Sequence, residues 1–185
     1  MKTLITALAT LICAIGAQAQ LSQIGAISSG GSGCVNSNIH VSVGSSGVNI
    51  GYPEFNIQPD SNHRLIRTNC SLAIPVSVPA GFQLVASAAS SGLSRLQGSN
   101  RVTVSQELFL AGGRGVPQEA KLSASNKLFT LGKLNAAATL AKSACGQNAI
   151  LRLNVSATLL KAAVPSPSKF AVNKSQITFK LVPCK

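Results

Sequence analysis

Short alternations of apolar and polar residues, separated by glycine, proline and serine turns, run along most of this chain. The clearest places Cys70, Leu72, Ile74, Val76 and Val78 at every second position. A period of two belongs to a β-strand, whose alternate side chains line one face. Pro75 lies inside this run, which predicts an edge strand or a position whose N–H would face solvent. Upstream, Ile39, Val41 and Val43 predict a first strand, and Gly44-Ser45-Ser46-Gly47 a hairpin turn. Val48 and Ile50 resume the alternation towards Phe55 and Ile57. Residues 58–67 form a polar loop. Pro79-Ala80-Gly81 turns the chain, and Phe82, Leu84, Ala86 and Ala88 alternate again.

Val102 and Val104, then Leu108 and Leu110, mark a further strand region before the glycine-rich stretch 112–116. Leu151, Leu153 and Val155 predict a strand within 150–160. Ile177, Phe179 and Leu181 predict a last one that ends at Cys184. The stretch 121–144 is ambiguous. Leu128, Phe129, Leu131 and Leu134 suit a strand, whereas 136–144 suits a short helix by propensity. Eight or nine strand candidates and no long amphipathic helix predict an all-β protein, an antiparallel β-sandwich.

The first residues follow another pattern. Lys2, an apolar run from Leu4 to Ile15 and the small-x-small site Ala17-Gln18-Ala19 predict a secretory signal peptide over 1–19, cut after Ala19. The apolar run is too short to span a bilayer comfortably, and no later segment is apolar enough to cross one. Cys13 would leave with the signal. Residues 20–33 read as a flexible Gly/Ser-rich lead-in, and 34–185 as a single domain. The expected location is secreted or periplasmic.

Export changes the meaning of Cys34, Cys70, Cys145 and Cys184, since four cysteines in an oxidising compartment are expected to form two disulfides. Three connectivities exist. Cys34–Cys70 with Cys145–Cys184 is favoured because each closes a local loop, contributing about 3.5–4 kcal/mol on chain-entropy arithmetic. A structural zinc site needs ligand pairs about two to four residues apart, and gaps of 36, 75 and 39 do not supply them.

The segment around the second cysteine, 67–84, reads RTNCSLAIPVSVPAGFQL. Arg67, Asn69-Cys70, the strand Leu72 to Val78, Pro79, Gly81 and Phe82 resemble a family of exported four-cysteine β proteins known as a domain of unknown function, family 4360. Gly33-Cys34, the stretch from Gly92 to Gly98, Phe109 to Gly112, Cys145 and Cys184 are similar too. The resemblance covers most of the chain. It implies an exported β domain with disulfide staples and no known activity, and it carries over no catalytic or ligand residue.

Charge adds one constraint. The chain carries a formal net charge of +12, and loss of Lys2 leaves about +11. The four acidic residues are Glu54, Asp60, Glu107 and Glu119, too few and too dispersed to suggest the paired carboxylates of a glycosidase. His40 lies on the polar side of the first strand. His63 follows Asp60 in a loop, and no G-x-S-x-G elbow accompanies them. Gly112-Gly113-Arg114-Gly115 lacks the Lys-Ser/Thr of a phosphate-binding loop. Basic residues are scattered from Arg64 to Lys185 and the aromatics fall at apolar positions, which does not suit specific nucleic-acid binding.

The resulting expectation is a non-enzymatic exported module, without cofactor or metal, that associates with an anionic polysaccharide or another anionic cell-surface or extracellular polymer. The alternative is a carbohydrate-recognition module, with Tyr52 as the one aromatic able to serve as a ligand platform. A small secreted hydrolase ranks behind both. No oligomeric state follows from the pattern.

Overall fold

The period-two segments pair into two antiparallel sheets that face one another. A computed structural model describes residues 24–34, 38–60, 62–123, 125–132, 140–162 and 167–184. The expected signal peptide, 1–19, lies outside the described residues. Twelve strands are present among them: β1 (Ser28–Gly30), β2 (His40–Gly44), β3 (Gly47–Gly51), β4 (Asn56–Ile57), β5 (Leu65–Val76), β6 (Phe82–Leu96), β7 (Arg101–Leu110), β8 (Gln118–Leu122), β9 (Ser125–Leu131), β10 (Ala141–Lys142), β11 (Ala149–Leu160) and β12 (Lys169–Pro183). That exceeds the eight or nine expected, because β1, β4 and β10 are too short to leave a periodic trace.

One sheet has the order β1-β5-β11-β7-β8. The other holds seven strands: β10-β6-β12-β3-β2, with β9 added to β6 and β4 to β12. Every pairing is antiparallel. The core lies between the sheets. Leu72, Ile74, Leu151, Leu153 and Val104 enter it from the five-stranded sheet, and Ile50, Leu84, Phe170 and Ile177 from the other. Among the described residues no helix is long and apolar enough to cross a membrane.

Three expectations change. Pro75 does not mark an edge, since β5 lies between β1 and β11. The Pro75 carbonyl accepts the Gly25 amide at 2.9 Å on the β1 side. The missing N–H of Pro75 points the same way, just beyond the three-residue β1, so no ladder bond is lost. Part of the expected lead-in is built into the sheet: Ser28–Gly30 pairs with 71–73, and Ile24 bridges Val76. In the stretch proposed as a short helix, 136–139 lie outside the described residues, and Ala141–Lys142 is a strand.

A β-bulge shapes β12. Val172 pairs with Gly92 but Lys174 pairs with Ser91, which leaves Asn173 unmatched. The extra residue inverts the alternation. Phe170 and Val172 point inward before it; Ser175, Ile177 and Phe179 do so after it. Lys174, Gln176, Thr178 and Lys180 are thereby turned to the outside.

Candidate anion-binding face

The outer face of the seven-stranded sheet carries a one-sided charge. Leu84, Ala86, Ala88, Ser90 and Leu96 of β6 are buried, so the alternate positions, from Gln83 to Arg95, face out. Antiparallel partners share a face, and the register therefore fixes the outward rows. Lys142 and Lys180 flank Val85 from the two neighbouring strands. Lys174 and Thr130 flank Ser91, and Lys169 pairs with Arg95. Arg95, Lys142, Lys169, Lys174 and Lys180 are all exposed. None of the five makes an ion pair among the described residues.

None of the four carboxylates joins them. Glu107 and Glu119 belong to β7 and β8 of the opposite sheet. They share the outward phase of that sheet with Arg67, Arg101, Lys121 and Arg152, which leaves that face less positive. Glu54 lies between β3 and β4, where it accepts a 2.8 Å hydrogen bond from Asn38 Nδ2. Asp60 lies between β4 and β5.

Two clefts open on the cationic face. One of about 750 Å³ runs over Gln83, Val85, Lys142, Thr178 and Lys180 to the Cys145–Cys184 disulfide. The other, about 560 Å³, is lined by Ala89, Ser91, Thr130, Lys174 and Gln176. Thr178 and Gln176 are successive outward residues of β12, so the two clefts follow one another along that strand. Such a face offers charge-assisted hydrogen bonds to anions, with neutral donors and acceptors between them. Phe179 also lines the first cleft but is 6% exposed, and among the described residues no exposed aromatic ring stands on this face.

The predicted residues fall elsewhere. The disulfides are Cys34–Cys70 and Cys145–Cys184, the pairing that the loop lengths favour. Cys34 and Cys70 are buried, whereas Cys145 is exposed and Cys184 half-buried. Accessible disulfides are the more readily reduced. Mild phosphine treatment followed by alkylation and peptide mapping is expected to label Cys145 and Cys184 first. Earlier labelling of Cys34 and Cys70 would contradict the difference in burial.

Tyr52 is no ligand platform. Its ring is 4% exposed and packs edge-on against Phe55 at a centroid distance of 5.9 Å. The hydroxyl donates to Ser175 Oγ at 2.9 Å and begins a buried polar chain. Ser175 bonds to Ser90 at 2.5 Å, and Ser90 donates to Gln106 Oε1 on the opposite sheet at 2.5 Å. Gln106 Nε2 donates to the Ala88 carbonyl at 3.0 Å. The polar groups satisfy one another across the core and hold the two sheets in register.

Burial pushes the Tyr52 phenol up to about 12, and the Ser175 hydrogen bond offsets this only in part. The neutral phenol is thus favoured by the folded state. Its contribution is complete below the unfolded value near 10 and disappears as pH rises towards 12. Two units correspond to about 2–3 kcal/mol. Tyr52→Phe is expected to be less stable than the parent at neutral pH by about 1 kcal/mol. It should lose less stability than the parent between pH 10 and 12, as read by denaturant midpoints. Parallel alkaline profiles would contradict this.

His63 Nδ1 lies 2.8 Å from Asp60 Oδ2, and both groups are solvent-exposed. Hydrogen bonds from the His63 ring and the His63 and Asn62 amides hold the Asp60 carboxyl below the usual carboxylate range. Among the described residues no serine hydroxyl bonds to His63. His40 lies on β2, opposite Gly51. Among the described residues no group of three His, Cys, Asp or Glu side chains can hold a metal. In the 112–116 loop the Gly113 amide donates to the Leu110 carbonyl and the Gly115 amide to Glu107 Oε1. Those amides serve a turn and not a bound phosphate.

Residue spacing alone did not reveal the cationic face. Its signal is the second phase of the last strand, Lys174-x-Gln176-x-Thr178-x-Lys180, which the apolar phase masks. The other cations reach the same face through pairing at long sequence separation.

Solved structures with detectable likeness include TmCBM61, seen in complex with beta-1,4-galactotriose. It is 12% identical, with 85% of this chain and 88% of that one covered and a TM-score of 0.27. The family 11 carbohydrate-binding module from Clostridium thermocellum, in complex with a beta-1,3-1,4-mixed-linked tetrasaccharide, is 9% identical. The match covers 91% of this chain and 93% of that one, with a TM-score of 0.21. At these scores the likeness carries no argument. No curated protein matches the chain. A family model does match, over residues 20–183, and the chain belongs to the family described as a domain of unknown function (DUF4360).

Proposed function

We propose that this chain is an exported, non-enzymatic β-sandwich that associates with anionic polymers through the outer face of its seven-stranded sheet. In this reading residues 1–19 are removed, and one domain over 34–185, extended by β1 from the stretch before it, works in a secreted or periplasmic setting. Two disulfides suit an oxidising compartment. The observation that carries the reading is charge segregation: five exposed cations share one face that holds no carboxylate. Lys142 and Lys180 stand two strand spacings apart, about 10 Å. That is close to the screening length at physiological salt, about 8 Å, so they repel one another weakly and gain from a shared anion. A neutral-sugar lectin loses support because Tyr52 is buried and no exposed ring replaces it on this face.

The test is binding of the purified protein to polygalacturonate and to neutral dextran at low and high salt. Polygalacturonate binding that collapses with salt, with none to dextran, is the expected result. Salt-indifferent binding, or a preference for dextran, would overturn it.

A further inference from the structure

We infer that the partner is a linear acidic polysaccharide running along β6 and β12, an inference that rests on the anionic-polymer reading above and gives it a geometry. The cations are not spread evenly over the face. They form three stations along the strand direction: Lys142 with Lys180 beside Val85, Lys174 beside Ser91, and Lys169 with Arg95. Strand rise fixes their spacing. Six residues from Val85 to Ser91 span about 20 Å, and four more to Arg95 add about 14 Å. A track of about 34 Å results, following the two longest strands.

Between the stations the surface changes character. Half-buried Thr178, bonded to the buried Ser87 hydroxyl at 2.7 Å, and exposed Gln176 lie there, with Gln176 paired to Ala89 and Asn49. These are donors and acceptors of the kind that sugar hydroxyls match. Past Lys174, Leu128 pairs with Leu93 and is 78% exposed. That apolar step offers a rest for the C–H face of a ring. Polar segments and an apolar step set between charges fit a chain that carries both hydroxyls and acid groups. Single-stranded nucleic acid is disfavoured because no ring on this face can stack a base. An acidic membrane would meet the cations as a plane and give no role to their order along the strands.

The probe is a ladder of oligogalacturonates from dimer to dodecamer, with binding measured by calorimetry at low salt. Affinity is expected to rise with length and to level off once the oligomer spans the track. Lys174→Gln removes only the middle station and leaves the core untouched. It should weaken the longest oligomers about two- to fivefold and leave the dimer unchanged. Salt-sensitive binding with no dependence on length, or equal weakening of dimer and dodecamer, would overturn the linear track while leaving the anionic-polymer reading in place. Preference for phosphatidylglycerol vesicles over every oligomer would also overturn the track. No binding to any member would overturn both.

Discussion

Replacing Cys34 and Cys70 together by alanine is expected to destabilise the protein by about 4–5 kcal/mol. The loop is 36 residues long, and closing it contributes nearly 4 kcal/mol by restricting the unfolded chain. The remainder comes from removing two buried sulfurs from the core. The local backbone depends on the same staple. Gly31 adopts a φ of +128°, and a Cβ there would strike the Asn69 carbonyl. Gly33 donates to the Asn69 carbonyl at 2.8 Å, and a Cβ on it would strike the Phe55 ring. The disulfide thus ties a close-packed turn onto the middle of β5. For a domain of this size the loss corresponds to a fall in Tm of about 8–20 °C. Cys145→Ala with Cys184→Ala opens a loop of similar length, 39 residues, but removes less buried sulfur. It should cost less, and equal shifts in a thermal melt would contradict the packing argument.

Reversing three charges should abolish polymer binding without unfolding the protein. Lys142→Glu, Lys174→Glu and Lys180→Glu act on exposed positions outside the core. Each exposed contact contributes about 0.5–1 kcal/mol. Reversal turns attraction into repulsion, so the three together cost about 3–6 kcal/mol, a hundredfold or more in affinity for polygalacturonate. Arg67→Glu, Arg101→Glu and Arg152→Glu make the same change in net charge on the five-stranded sheet. Their effect is expected to stay below tenfold. Equal losses from the two triple variants would mean that total charge, and not its placement, drives association.

The strands legible in the sequence were those whose inward residues are large. Leu72, Ile74 and Val76, or Leu151 and Leu153, announce both strand and face. β6 was legible only in its first half. Beyond Ala88 its inward positions are Ser90, Gly92, Ser94 and Leu96, three of them too small to register as apolar. Gly92 is required there, because a Cβ would strike the Ala171 carbonyl and the Phe129 ring. β12 was legible only after the bulge at Asn173, which splits fifteen residues into two runs of opposite phase. The disulfide pairing followed from loop length alone. The burial of Tyr52 is not legible because its one polar atom is satisfied internally by Ser175, 123 residues away. Nothing local signals such a partner. The cationic face stayed hidden for the same reason: Lys142, Lys174, Lys180 and Arg95 converge only through pairings of β6 with β10 and β12.

Backbone amide shifts, followed by NMR while an oligogalacturonate is titrated into the isotope-labelled protein, test this account most directly. The account predicts that the shifted amides cluster on β6 and β12, from Val85 and Lys180 at one end to Arg95 and Lys169 at the other, with β7 and β11 unmoved. Shifts centred on β7 and β11, or spread evenly over both faces, would contradict it.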